Sequence, residues 1–454
     1  MAELLNASGS GSWLESSGLK HIFRSLGFAV QPAKLGVALC GIISTFALGV
    51  VLDGVWKTRG GVEETAIARF ISSRELDQPH QDAAGDFGVF SVWREHERRC
   101  VLGLLGSSIP GASVAAGTPV GTFVESHSFS GPLRNLSGMG QGVLWMMLEH
   151  PIYFVIFAVG TLTIWSFCGG AICRMSAVQM ARDEKLTARQ GLSFSWDRLF
   201  DGFFLAPCIP VIFALIVMLL MALGGVMLRL PVIGDLIGGP LFLLAILGGF
   251  IVAVLLIGLF VGGSLFWPAV ATEGSDAFDA FSRGLSYPLS RPWRALGYGV
   301  VAVIYAAVCW MFVNLFVYFA LTVTRGVVAF GTSPFGWWAR GDGDRRTDKL
   351  SLLWPLGGPN DLYSWPKWSE LGTFEYVSAV FIALYVGLVI ALMWSFLVSL
   401  YFSASTVIYG LLRRDVDGTG LDEVHDGEVG PEGSISPSPP SSSSGGISLP
   451  IANG

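Results

Sequence analysis

Residues 237–271 read IGGPLFLLAILGGFIVAVLLIGLFVGGSLFWPAVA, and this stretch decides the fold. It contains no Asp, Glu, Lys or Arg in 35 consecutive residues. A helix needs about 20 mostly apolar residues to cross the hydrocarbon core of a bilayer. The stretch therefore predicts a membrane-spanning helix that is long enough to tilt strongly or to begin in the membrane interface.

Five other apolar runs have the same character, so the sequence predicts six spans. The first run is the weakest, with an uncharged part from Leu35 to Leu52 only. If it is merely peripheral, the N-terminus changes side and the other five spans do not. In chain order the runs are Lys34–Trp56, Pro151–Cys173, Phe203–Leu228, Ile237–Ala271, Ala295–Val323 and Tyr376–Leu412.

The composition of the 454 residues agrees with this pattern. Hydrophobic residues make up 52% and charged residues 14%, where soluble chains average about 25% charged. Mean hydropathy is +0.59. The fold class predicted is an all-α polytopic membrane bundle in contact with the lipid bilayer. The net charge is −6 and no basic stripe is present, so nucleic acid is not expected as a partner.

Residues with recognisable chemistry are scarce. The six cysteines show no CxxC and no zinc spacing, and the sequence has neither a P-loop nor a G-x-S-x-G motif. His80, His96 and His150 lie near acidic residues, but none has a strong metal spacing such as HExxH. We therefore assign no catalytic, cofactor-binding or metal-binding residue, and the sequence favours a protein that is not an enzyme.

Lys and Arg in the segments between the spans predict the orientation. The four segments that lie on one side in a six-span topology carry thirteen Lys and Arg residues. The short opposite turn, Leu230–Leu236, carries none. Because basic residues concentrate on the cytoplasmic side of short loops, we expect both termini in the cytoplasm and the protein in a cell (inner or plasma) membrane.

Two predicted cytoplasmic loops share the pattern G-L-S-[FY]-x-x-x-R-x-[FW], at Gly191–Phe200 and Gly284–Trp293, 93 residues apart. Each copy follows one span and precedes the next. The pattern indicates an internal duplication of a span–amphipathic loop–span unit; the alternative is chance similarity between ordinary basic loops. In an interfacial helix the aromatic side chains enter the acyl region and the arginines stay at the headgroups. The candidate lipid-contact residues are Arg198, Phe200, Arg291 and Trp293.

The segment Glu273–Trp293 also carries a family resemblance. With DAFDAFSR at 276–283 and RPW at 291–293, it resembles a loose group of bacterial six-span integral membrane proteins. The group includes the membrane domain found attached to some glycerophosphodiester phosphodiesterases and families of unknown function. The resemblance covers about residues 150–330. It implies an architecture and almost no chemistry, and the phosphodiesterase catalytic domain has no room here.

The remaining parts are read by composition. Residues 1–33 form a cytoplasmic segment in which Leu19, Ile22, Phe23 and Leu26 fall at helical spacing, which predicts a surface helix; a frayed terminus is the alternative. Residues 57–150 form an extracytoplasmic region with helical character near 89–105 and no strand alternation. The other predicted parts are the first span (34–56), a duplicated four-helix core (151–330), a Trp-rich extracytoplasmic loop (331–374), the last span (375–414) and a disordered acidic and Ser-Pro-rich cytoplasmic tail (415–454).

Three functional hypotheses follow, of which the weakest is a membrane enzyme that acts on lipid, because the sequence identifies no residues for it. The first is a non-catalytic scaffold that interacts with lipid, with a membrane-protein partner or with a second copy of itself. The second is a transporter or permease component for a neutral or lipid-like solute, for which Pro207 and Pro210 would interrupt the third span. The candidate polar residue inside the membrane is Asn314, which more often serves as an interhelical hydrogen bond than as an ion ligand.

The orientation is testable by cysteine labelling. A cysteine at Ser128 or Ser351 should react with a membrane-impermeant maleimide in intact cells, because both positions lie in predicted extracytoplasmic loops. A cysteine at Ser193, in the first repeated loop, should react only after the membrane is opened. Protection of either outer position in intact cells would overturn the predicted order of spans.

Overall fold

The computed structural model describes residues 18–59, 67, 86–108, 130–227, 233–332, 349–355, 366 and 371–425. These residues form an all-α bundle with one small antiparallel sheet, in which β1 (Lys57–Arg59) pairs with β2 (Asp86–Gly88). The helices are α1 (Leu19–Ala29), α2 (Pro32–Asp53), α3 (Val89–Ser108), α4 (Ser130–Glu149), α5 (Pro151–Arg182), α6 (Ala188–Asp197), a π-helical turn (Leu199–Phe204), α7 (Leu205–Met227), α8 (Ile233–Glu273), α9 (Ala277–Ser290), α10 (Pro292–Thr332), α11 (Lys349–Leu353) and α12 (Thr373–Asp417).

Six helical segments are long and apolar enough to cross a membrane, which confirms the predicted number of spans. They are α2, α5, α7 with its preceding π-helical turn, α8, α10 and α12. The protein is therefore a multi-pass membrane protein with an all-α fold. The Leu19–Ala29 helix also confirms the helix predicted before the first span.

The long helices extend beyond the apolar runs that predict them. Helix α5 continues from Cys173 to Arg182, and α12 continues to Asp417. Packing inside the protein explains the extension, because Met175, Ala177 and Gln179 are buried although hydropathy falls there. The π-helical turn begins directly after Arg198, where the sequence predicts only a loop before the third span.

In the region before α5, helix α3 confirms the helical character predicted near 89–105, whereas the β1–β2 sheet and helix α4 are not predicted by the sequence. Each strand of the β1–β2 sheet is three residues long, too short to show an alternating pattern. Helices α3 and α4 pack against each other and form what we call the roof. The Asp53 carboxylate at the end of α2 accepts hydrogen bonds from the backbone N–H groups of Phe90 (2.7 Å) and Ser91 (3.0 Å), so it caps α3 and anchors the roof.

The six spans are arranged cyclically around three core helices, α5, α8 and α12, each of which contacts the other two. A short helix packs on each core helix: α6 on α5, α9 on α8 and α1 on α12. The outer helix that follows each short helix packs on the next core helix: α7 on α8, α10 on α12 and α2 on α5. The bundle thus consists of three equivalent units of core, short and outer helix.

The first two units, α5–α6–α7 and α8–α9–α10, are the two predicted copies. The repeated glycines lie on the short helices α6 and α9, and each packs against a core helix. A Cβ atom on Gly191 would lie 3.2 Å from the Ala171 carbonyl oxygen, and one on Gly284 would lie 3.5 Å from that of Gly262. Close helix packing is therefore the local reason for glycine in both copies.

The third unit was not predicted, because it joins the two ends of the chain. Its core helix α12 comes last in the sequence, whereas its short helix α1 and outer helix α2 come first. A Cβ atom on Gly18 would lie only 2.7 Å from a Leu411 methyl group, so the start of α1 touches the end of α12. Helix α1 also lacks the G-L-S pattern, and no repeat search along the sequence would join segments from opposite ends.

One basic side chain joins each unit to the next. Arg198 donates to the Gly274 carbonyl oxygen at 2.5 Å, and Arg294 forms an ion pair with Asp415 at 2.9 Å. Lys34 donates to the Gln179 side-chain oxygen at 2.9 Å. Each cation lies at the start of an outer helix and reaches the carboxyl end of the next core helix, where the helix dipole favours positive charge. We call the face that carries these contacts the basic face.

Lys34 differs from the other two cations because it is fully buried. Its ammonium also lies over the Phe28 ring, 5.3 Å from the centroid. Lys34 is one of the thirteen basic residues from which the sequence predicts the orientation. Its position near the helix start was visible in the sequence, but its burial depends on α5 and α12, which are distant in the chain.

The chain after α12 continues across the basic face. The His425 backbone N–H donates to the Thr272 carbonyl oxygen at 2.8 Å, and the Arg413 guanidinium donates to the Glu423 carbonyl oxygen at 2.7 Å. Composition assigns residues 415–425 to the tail, but in the structure they pack on the bundle. Tyrosine and arginine side chains bind the carboxylates of Asp415 and Asp417. Residues 426–454 of the predicted tail lie outside the described residues.

Removing the partner of Lys34 should destabilise the bundle. Gln179→Leu leaves a buried ammonium without its hydrogen-bond acceptor and should cost about 2 kcal/mol of unfolding free energy. The double variant Lys34→Met/Gln179→Leu should recover more than half of that loss, because it removes the buried charge as well. Chemical unfolding in detergent measures both, and a double variant no more stable than Gln179→Leu would contradict a direct pairing.

Candidate functional site

A cavity of about 460 Å³ lies among the core helices on the roof side of the bundle. On the side away from the roof, the cavity ends where the core helices come closest. There a Cβ atom on Gly169 would lie 2.7 Å from the Phe402 ring and 3.0 Å from the Trp267 ring. The residues lining the cavity are Trp93, Val143, Met146, Phe154, Phe157, Ala158, Thr161, Leu162, Trp165, Trp267 and Tyr401.

Aromatic side chains from all three core helices form the floor. The Trp165 and Trp267 rings both contact Phe402, with centroids 6.0 and 5.4 Å away. The Trp267 indole N–H donates to the Phe203 carbonyl oxygen at 2.7 Å, which fixes the orientation of the ring. Phe203 belongs to the π-helical turn, so the irregular start of the third span supplies the acceptor that holds the floor in place.

The cavity lies within the membrane-spanning part of α5. This helix begins at Pro151, and its lining residues run from Phe154 to Trp165, a rise of about 16 Å. The lining residues include no Asp, Glu, Lys or Arg, and the cavity is open on one side. Because α5 is long and apolar enough to cross a membrane, lipid hydrocarbon is expected around the bundle at this depth.

The roof closes the cavity above. Trp93 of α3 and Val143 and Met146 of α4 supply its lining. A small hydrophobic cluster that includes Phe90, Trp145, Tyr153 and Phe157 joins the roof to α5. Helix α4 also exposes apolar side chains that do not line the cavity: Leu136, Leu144, Met147 and Leu148. A surface of this kind is typical of a helix that lies in the membrane interface.

Thr161 Oγ1 on the cavity wall is buried and lacks a hydrogen-bond partner among the described residues. The Trp93 indole and the Glu97 carboxyl, one helical turn apart on α3, are hydrogen-bond partners of each other. Burial raises the pKa of Glu97 to about 7, and the hydrogen bond from the Trp93 indole opposes the shift. A buried polar atom without a partner costs about 1–3 kcal/mol, so such atoms mark places where a water or ligand is expected.

The residues predicted as lipid contacts lie on the basic face, at the other end of α5 from the roof. Phe200 and Trp293 are 62% and 83% exposed, and Arg291 is also exposed. Arg198 is half-buried, and its guanidinium binds the Gly274 carbonyl. Contact of these four residues with lipid stays a prediction.

The other candidates also lie outside the cavity. Asn314 is half-buried on α10 and does not line the cavity. Pro207 and Pro210 lie in the first two turns of α7, directly after the π-helical turn, and do not line it either. In the Trp-rich loop, Trp354 is buried and its carbonyl oxygen accepts from Arg325. Trp337, Trp338, Trp365 and Trp368 lie outside the described residues.

The sequence does not predict the cavity residues. Tryptophan concentrates at membrane interfaces, yet Trp165 lies inside the apolar run Pro151–Cys173. That unusual depth was the available signal. The convergence of the Trp165 and Trp267 rings on one space depends on helix packing, which the runs themselves do not determine.

Ionisable side chains also converge on the basic face, around Glu273. The Tyr409 hydroxyl donates to its carboxylate at 2.6 Å, Arg413 forms an ion pair with it at 3.1 Å, and Arg283 forms a second. These groups neutralise one another and connect α8, α9 and α12, which indicates a structural role. In the part of the chain that the structure describes, no group of three His, Cys, Asp or Glu is placed to hold a metal ion.

Comparisons of this chain with protein-family models, with curated proteins and with solved structures find no match. Kinship with the six-span membrane domain of the glycerophosphodiester phosphodiesterases is therefore a proposal that rests on residues 273–293 alone.

The raised pKa of Glu97 predicts a pH-dependent stability. The folded protein keeps this carboxyl protonated up to about pH 7, whereas the unfolded chain releases the proton near the ordinary glutamate pKa of 4.5. Stability should therefore fall as pH rises from about 4.5 to about 7. Glu97→Gln should remove much of the difference in melting temperature between pH 5 and pH 8.

Glu95→Gln is the matched control for this measurement. Glu95 lies on the same helix, but its hydrogen bonds to Arg98 and Arg99 hold its pKa below the usual value. Its contribution therefore changes below pH 4.5, and the difference between pH 5 and pH 8 should persist in this variant. Equal pH dependence in wild type and Glu97→Gln would disprove the assignment.

Proposed function

We propose that this multi-pass membrane protein is a non-catalytic lipid-binding bundle that holds an apolar chain in the cavity beneath its roof. The observation that carries the proposal is the 460 Å³ space among α5, α8 and α12, with an apolar lining and an open side at bilayer depth. The volume falls within the range of small-molecule sites, about 300–1,000 Å³.

A lipid chain is the occupant that the surroundings favour. The space extends along α5 for about 16 Å, so it suits an elongated molecule better than a compact one. Lipid chains surround the opening, whereas a polar solute would have to cross hydrocarbon to reach it. The ring contacts of Trp165 and Trp267 with Phe402 close the far end.

The basic face supports a second lipid contact at headgroup depth. Arg291 and Trp293 are exposed there, and exposed cations near an anionic membrane surface contribute roughly 1 kcal/mol each. Phe200 and Trp293 extend from equivalent positions in two units, so both project at the same level. The same face is available to a membrane-protein partner or to a second copy. The predicted orientation, with both termini cytoplasmic in a cell membrane, places this face at the cytoplasmic leaflet.

A transporter for a neutral or lipid-like solute is the second candidate, and the location of the cavity among the core helices favours it. The floor formed by Trp165, Trp267 and Phe402 would then act as the gate. The two functions differ in one measurable property. Transport would raise the rate at which a fluorescent lipid analogue moves between leaflets of proteoliposomes, and binding alone would leave that rate at the protein-free value.

Photo-crosslinking tests the binding proposal. A long-chain alkane that carries a diazirine, added to vesicles containing the protein, should label peptides that include Thr161, Trp165 or Met146. Ala158→Phe fills the cavity and should lower this labelling severalfold. Val159→Phe is the control, because Val159 is 49% exposed on the adjacent surface of the same helix. Labelling that is absent, or equal in both variants, would refute the proposal.

A further inference from the structure

Helix α10 is the least enclosed of the six spans. Only 6% of its most apolar window is buried inside the protein, compared with 17–28% in the other five spans. Tyr305 and Trp310 face the bundle, where the Tyr305 hydroxyl donates to the Phe23 carbonyl oxygen and the Trp310 ring contacts Trp394. Most of the remaining surface of α10 is left to lipid or to another membrane protein.

Asn314 lies on this helix at a depth where hydrocarbon is expected. It follows Arg294 by 20 residues and precedes Arg325 by 11, and no charged residue lies between these arginines. Its side-chain amide can donate two hydrogen bonds and accept others, yet it forms none with any described residue. No water is available in the hydrocarbon to replace them, so an amide without a partner is costly at this depth.

Asn314 also belongs to a stripe of residues that are spaced alternately three and four positions apart along α10. This is the spacing of the core positions in a heptad repeat, along which two helices pack side by side. Every member of the stripe except the half-buried Asn314 is exposed, and a Cβ atom on Gly297 would meet nothing within 4 Å. The members are Gly297, Val300, Ile304, Ala307, Met311, Asn314 and Tyr318.

The chemistry of Asn314 favours a second copy of this chain as the partner. Two copies inserted in the same orientation carry identical residues at the same depth, and a two-fold axis along the membrane normal brings each stripe residue to its own counterpart. A carboxamide is self-complementary, because the N–H of one amide donates to the carbonyl oxygen of the other. A different protein would need a polar group of its own at this depth.

We propose that α10 is a dimerisation helix, along which two copies pair through the stripe while their Asn314 amides hydrogen-bond to each other. The small residues Gly297 and Ala307 allow the two helices to approach closely. A single asparagine at a heptad core position also specifies the register of the pair. The inference is independent of the lipid-binding proposal, because no member of the stripe lines the cavity.

Cysteine crosslinking in native membranes tests the interface. Met311 and Phe312 are adjacent, lie at nearly the same depth and are 60% and 70% exposed, but only Met311 belongs to the stripe. Under a mild oxidant, Met311→Cys should form a disulfide-linked dimer several times more efficiently than Phe312→Cys. The parent chain, which retains its own six cysteines, gives the baseline. Equal crosslinking of the two variants, or crosslinking of Met311→Cys to a different protein, would overturn the proposal.

Energy transfer between labelled copies in vesicles tests the amide pair. Asn314→Leu removes the interhelical hydrogen bonds and should raise the dimer dissociation constant about tenfold. Asn314→Gln keeps a carboxamide and should retain most of the association. Phe316→Leu is the control, because Phe316 is exposed on α10 outside the stripe, and it should dimerise like the wild type. An unchanged dissociation constant in Asn314→Leu, with its melting temperature at high dilution in lipid also unchanged, would show that the amides do not pair.

Discussion

The close contact of three core helices is the constraint on which the rest of the structure depends. Lipid chains are as apolar as leucine, so helices in a membrane associate through close packing and hydrogen bonds rather than through the hydrophobic effect. Gly169 allows α5 to meet the Phe402 and Trp267 rings within contact distance. The two rings contact the backbone of α5 at Gly169. The cavity is the space left between the helices on the roof side of this contact.

The cyclic arrangement explains why so many charged residues lie on one face. Each outer helix must be held against a core helix of the next unit, and a cation at its start binds the carboxyl end of that helix. The acceptor differs in each case. Lys34 donates to a side-chain amide, Arg198 to a backbone carbonyl and Arg294 to a carboxylate. A basic segment that resembles an ordinary cytoplasmic loop in the sequence thus contains residues that hold the bundle together.

The roof and the basic face act on opposite ends of the same helices. At the roof, Asp53 fixes the start of α3, and the aromatic cluster around Phe157 joins α3 and α4 to α5. At the basic face, the chain after α12 lies across the ends of α5 and α8, where Arg174 donates to the Ala271 and His425 carbonyl oxygens. Both ends of α5 are therefore fixed by contacts, while its first half, from Phe154 to Trp165, borders the cavity.

The sequence by itself determined the number of spans, the all-α class and the first two units, because hydropathy and the G-L-S pattern are local properties of the chain. It also located Phe200 and Trp293 on repeated loops. Only the tertiary structure decided the third unit, the burial of Lys34 and the cavity formed by Trp93, Thr161, Trp165 and Trp267. Each of these depends on side chains from helices far apart in the chain meeting in one place, and no periodicity along the sequence encodes which helices become neighbours.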